Sequence, residues 1–140
     1  FQGACPWMFQ GQFPLKWMSS VDIMKFLPQL RSSVCPAIQI VPLKDNKFNR
    51  CKSNIAWIEG TAAGASVVAP AWEAWEQSGV TTYESPADFM IQLAALMDSA
   101  TARAQRAAAS LEALTSKFVL SVTNQQRLAL LTKLRNLSRV

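Results

Sequence analysis

The sequence predicts an α/β fold: a Rossmann-like parallel sheet flanked by helices, with further helices at the C-terminus. Three observations carry that expectation. Residues 37–41 (AIQIV) and 65–69 (ASVVA) are short apolar runs rich in β-branched residues, with Pro36 and Pro42 around the first and Pro70 after the second. Between them, residues 52–63 place Ile55, Ile58 and Glu59 on recurring turns and stop at Gly64, as a helix does. Beyond Ser85 the chain favours helix, above all in the alanine-rich residues 100–118. Strand, helix, strand is the βαβ unit, whose right-handed crossover builds parallel sheets.

In chain order, residues 7–10 are an apolar run closed by Gly11 and read as a strand. Residues 21–27 place Val21, Met24 and Leu27 on helical spacing. Ser20 supplies an N-cap there and Asp22 a first-turn negative charge, and Pro28 ends or kinks the helix. The AIQIV run is expected as a buried strand. Residues 43–49 are polar and irregular, hence a loop, with Asn46 and Asn49 as turn formers and Phe48 plugging the loop into the core. The ASVVA run is the second buried strand. Trp72 and Trp75, three apart, fit a short helix, and with Trp57 they read as core or domain-interface residues rather than sugar platforms; residues 80–83 fit a short strand. Ser85 and Pro86 open the next helix as N-cap and first-turn proline, with Phe89, Leu93, Leu96 and Met97 as its apolar face. A last helix over residues 123–137 carries Leu128, Leu131 and Leu134. Residues 4–140 are expected to form a single domain. Phe1, Gln2 and Gly3 match the end of a protease-cleavage linker, or else the sequence starts inside a longer protein; in either case no function is placed on them.

Composition narrows the chemistry. Of 140 residues half are apolar and 16% charged, a globular rather than disordered balance. There is no histidine, which excludes an imidazole base, a His-dependent triad and His-ligated metals. Cys5, Cys35 and Cys51 are odd in number and widely spaced, so neither a disulfide framework nor a zinc site is expected. No apolar run is long enough to span a membrane and no signal-peptide pattern opens the chain, so a cytoplasmic location is expected. The net charge of +5 is spread along the chain, and its later members alternate with apolar residues on helical spacing. A solvated helix face accounts for them, and no nucleic-acid partner is expected.

The segment PLKDNKFNRCKSNIAWIEGTAAGASVVAP, residues 42–70, resembles the C-terminal, donor-binding half of GT-B fold glycosyltransferases. The relevant branch has a strand ending in Pro-Leu, then Asn, Phe-Asn and Lys-Ser, an aromatic-then-Glu helix, and a Val-Val strand. The likeness extends downstream through residues 81–84, Asp88-Phe89, Met97-Asp98 and the helix bearing Arg103. It spans residues 7–137 and is strongest over 37–69. The resemblance implies that Glu59 accepts hydrogen bonds from ribose hydroxyls, a task suited to a carboxylate with two acceptor oxygens. It also places the diphosphate at the start of the same helix, where free N–H groups and the dipole favour an anion. Lys52 supplies charge there and Ser53 a hydroxyl, while Asn49 and Asn54 reach sugar hydroxyls. Many relatives carry a second Glu eight residues before the first, but here Cys51 stands at that position, as is common in the Lys-Ser branch.

The implied function is binding of a nucleoside-diphosphate sugar, with no cofactor, no metal and no Asp-x-Asp motif. The catalytic residues remain unknown at this level. The acceptor and any general base belong to an N-terminal half, in the same or another chain, so the chain alone is expected to be inactive in transfer. The alternative from a different class is a non-catalytic protein-interaction module that retains the half-fold, in which exposed Trp72 and Trp75 mark the interface.

Overall fold

The structure is a computed structural model that describes residues 22–34 and 36–137. The expectations for residues 7–10, for the Ser20 cap and for Cys5 and Cys35 fall outside these residues. Helix α1 spans Ile23–Gln29 and contains Pro28. It continues into a single wide turn over Leu30–Val34, in which the Ser32 hydroxyl donates to the Pro28 carbonyl at 2.8 Å. A proline inside a helix removes one backbone donor and clashes with the preceding turn, so a change of winding directly after it follows.

Three parallel strands form the sheet: β1 (Ile38–Ile40), β2 (Ser66–Pro70) and β3 (Thr81–Tyr83), in the spatial order of the sequence. Ile38 pairs with Ser66 and Val68 with Thr81. β2 is central and buried at every position, which is why it reads as an uninterrupted apolar run. β1 departs from expectation. It lies at the sheet edge, none of its residues is buried, and Ile40 is 41% exposed.

Helix α3 (Ile55–Ala62) connects β1 to β2 and packs on both. Gly60 makes this close approach workable, because a Cβ there would lie 2.9 Å from the Gln39 Cβ. At its end, Gly64 adopts φ +85. The Ala65 amide bonds the Gly60 carbonyl and the Gly64 amide that of Thr61, which satisfies carbonyls otherwise left open by the last turn. The connection from β2 to β3 is short for a parallel crossover. It is made by residues 71–80 with one 3₁₀ turn, Glu73–Trp75. Trp75 lies in the core with Trp57, Val67, Ala69 and Val80. Trp57 and Trp75 are thus core residues, as expected, and Trp72 is half-buried against the same cluster; the exposed Trp75 of the interaction-module alternative is not found.

Helices α4 (Pro86–Asp98), α5 (Ala100–Lys117) and α6 (Leu120–Leu137) complete the chain. The Ser85 hydroxyl caps α4 by accepting from the Asp88 amide at 3.1 Å, and Ser99 caps α5 by accepting from Ala102. α4 packs on β3 and α5 on β2. Of the expected inward face of α4, Leu96 is buried and Phe89 and Leu93 half-buried, but Met97 points outward and is 65% exposed. The α5 backbone meets the turn before β3 at Gly79, which has φ +81. A side chain there would overlap the Arg106 carbonyl oxygen and the Ser110 amide. Among the described residues, no helix is long and apolar enough to cross a membrane.

Candidate functional site

In parallel sheets the loops after the strands gather at the carboxyl edge, and ligands bind there. The loop after β1 is fastened in place by Tyr83 of β3. Its hydroxyl donates to the Val41 carbonyl at 2.9 Å and accepts from the Leu43 amide at 3.2 Å. The expected irregular loop then contains one short helix, α2 (Lys47–Arg50). Asn46 caps it, accepting from the Asn49 amide at 2.8 Å, and the Asn49 amide group donates to the Lys44 carbonyl at 2.8 Å. Both asparagines therefore hold the loop in shape. Phe48 does not plug the loop: it is 76% exposed and lies under the Lys52 ammonium, 5.5 Å from the ring centre.

Arg50, the last residue of α2, is held from two sides. Its Nε and a terminal nitrogen donate to the two Asp45 carboxylate oxygens at 2.5 and 2.7 Å. Its guanidinium carbon also lies 5.3 Å from the Trp72 ring centre, within cation–π range. The hydrogen bond from Arg50 holds the Asp45 carboxyl below its ordinary value, and the same bond raises Arg50. Beside this pair opens a cavity of about 580 Å³. Arg50 and Asn54 line it from one side, Trp72, Glu73 and Gln77 from the loop after β2, and Phe118 from the end of α5. Of the charged residues that line it, Arg50 is cationic and paired with Asp45, and Glu73 is anionic; the loop from Pro42 to Ser53 also carries Lys44, Lys47 and Lys52. The arrangement can take an anionic group against a planar donor fork, with an indole beside it.

The sequence-derived site residues divide. Asn54 lines the cavity, at the cap position of α3 and with no side-chain bond to the helix. Lys52 and Ser53 are exposed and precede the helix, which starts at Ile55 rather than at Lys52. Asn49 is committed to the loop. Glu59 is half-buried on α3 and is not part of the cavity lining. Burial raises its carboxyl above the ordinary value. Cys51 is an exposed free thiol. Arg50, Trp72 and Gln77 were not singled out as ligand contacts. The usable signal was position alone: each sits in the loop that follows a strand's carboxyl end, Arg50 after β1 and Trp72 and Gln77 after β2.

Fold and site together define an α/β chain with a small three-stranded parallel sheet, flanking helices and, at the carboxyl edge, a cleft lined by Arg50, Asn54, Trp72, Glu73 and Gln77. Compared with known proteins, the chain matches no family model, no curated protein and no solved structure.

Proposed function

We propose that this chain is a nucleotide-sugar-binding domain of glycosyltransferase type, the Rossmann-like C-terminal half of a GT-B enzyme. The observation that carries the reading is the cleft of about 580 Å³ at the carboxyl edge, with the Asp45-held Arg50 fork and Trp72 on its wall. A diphosphate is a double anion with planar-accessible oxygens, and a guanidinium binds it bidentately. Asn54 and Gln77 offer neutral donors and acceptors for hydroxyls, and Trp72 offers an apolar face. The pattern resemblance over residues 42–70 supports the same class. Arg50 takes the main phosphate role; Lys52, Ser53 and Glu59, to which the resemblance gives the diphosphate and ribose, lie outside the cavity lining. Leaving-group charge is stabilised by this fixed cation without a metal. The acceptor and general base come from a second half, so the chain binds donor without transferring the sugar.

Isothermal titration of the folded protein with UDP- and GDP-sugars tests the reading. Saturable binding of one of them, lost in Arg50→Ala, is expected. No saturable binding to either series overturns it. The second reading is a non-catalytic interaction module with the same fold. The observation favouring it is the outward face of α4, where Met90, Ile91 and Met97 are each more than 60% exposed. Glu59→Ala in a context competent for transfer separates the two: lost transfer with an intact fold supports the enzyme, and no effect supports the module.

A further inference from the structure

The outward face of α4 is apolar along its length. Its inward residues are Phe89, Leu93 and Leu96; its outward ones include Ala87, Met90, Ile91, Ala94 and Met97, all exposed, with Asp98 beside them. A helix that is apolar on every side is normally buried on every side. Among the described residues, nothing covers this face.

Helix α6 presents the reverse case. Residues 124–136 are exposed without a break. Leu130, Leu131 and Leu134 share one face, each more than half exposed. Arg127, Lys133 and Arg135 are the charged residues of α6, which has no acid. Asp88 and Asp98 are those of α4, which has no base. Pairing α6 with another α6, or α4 with another α4, would bring like charges together across an apolar seam. Pairing α4 with α6 brings opposite charges together. The lengths agree: α4 runs about 20 Å and α6 about 27 Å at 1.5 Å per residue, so α6 can cover the whole exposed face.

We infer that a second copy of this chain covers the face, with α4 of each protomer lying against α6 of the other about a two-fold axis. In that arrangement the same patch serves both protomers, and both apolar helix faces leave water together. The dimer does not depend on the ligand assigned to the cleft.

The test is sedimentation velocity of the full chain from low to high micromolar concentration. A monomer–dimer equilibrium is expected. Met90→Glu and Leu131→Glu, both at exposed positions, should each weaken it about tenfold or more. Asp98→Lys and Lys133→Glu should each weaken it, and the double variant should recover a large part of the loss. A monomer at every concentration overturns the inference. So does a dimer unaffected by the α4 variants, or one in which α6 variants have no effect. If the chain is monomeric and Met90 is nevertheless protected from oxidation, residues 1–21 of the same chain cover the face, and the inference is wrong.

Discussion

Replacing Ser110 by alanine tests how α5 is fastened to the rest of the domain. Ser110 is fully buried. Its hydroxyl donates to the Ser78 carbonyl at 3.1 Å and accepts from the Trp57 indole N–H at 3.3 Å. One oxygen atom thus joins α5, α3 and the turn before β3. Trp57 is itself fully buried, so removing the hydroxyl strands an indole N–H away from water. An unsatisfied buried donor costs about 1–3 kcal/mol. Ser78 is exposed, so its carbonyl rehydrates and adds little; the void left by one oxygen is also small. The expected loss is about 2 kcal/mol, a large share of the stability of a domain this size. Urea unfolding followed by far-UV circular dichroism reads it directly. The decisive comparison is a cycle with Trp57→Phe, which deletes the donor. In that background Ser110→Ala should cost much less, with a coupling of about 1 kcal/mol or more. Equal costs in both backgrounds would refute the claim that the indole–hydroxyl bond is what Ser110 contributes.

Three further outcomes are expected. Gly79→Ala and Gly64→Ala share a positive φ but differ in surroundings, since a Cβ at Gly64 meets open space and one at Gly79 meets the α5 backbone. Gly64→Ala should cost about 1 kcal/mol from backbone strain alone, and Gly79→Ala distinctly more, in thermal melts. Glu59 binds its proton more tightly folded than unfolded. Its burial penalty is therefore full above the raised folded value and fades as pH falls through it towards the unfolded 4.5. Comparing wild type with Glu59→Gln across the mildly acidic range should show this slope vanish in the variant. Asp45→Asn keeps an acceptor for Arg50 but removes the competing charge. Anion affinity at the cleft, measured by titration with inorganic pyrophosphate, should then rise several-fold and become more salt-sensitive. Unchanged affinity would place the anion elsewhere than on Arg50.

The βαβ core was legible because its signals are local. β-branched runs, a bounding proline and Gly64 each specify backbone geometry without help from distant residues. The same holds for Ser85-Pro86, where a hydroxyl and a missing N–H suffice to start α4. The edges were less legible. Ile40 looks the same in a central strand and an edge strand, and only the pairing of β1 with a single neighbour exposes it. Phe48 departs from expectation, and Trp75 does not, for a related reason. A buried 3₁₀ turn between two strands needs a large plug, and Trp75 fills it, whereas Phe48 sits on a four-residue helix facing solvent. The candidate site was legible in its loop only. A loop follows β1 as expected, but the roles proposed for residues within it depend on where α3 begins. A shift of that start from Lys52 to Ile55 is enough to take Lys52 and Ser53 out of the first turn.

That shift also changes which force the proposed anion site would rely on. A helix start at Lys52 would have joined the dipole, free N–H groups and an ammonium in one place. As folded, α3 is short, its cap residue Asn54 makes no side-chain bond to the first turn, and Lys52 rests over an exposed ring. The weight passes to Arg50, which is oriented by Asp45 on one side and Trp72 on the other. A guanidinium already fixed by two neighbours loses little side-chain freedom when a ligand arrives, so more of its hydrogen-bond energy appears as affinity. Its neighbours in turn are fixed by the sheet: Trp72 by packing beside β2, and the Asp45 loop by the Tyr83 hydroxyl of β3. The cleft is therefore a consequence of strand order. With β2 between β1 and β3, the loops after β1 and β2 must open side by side, and β3 can reach across to brace the first of them.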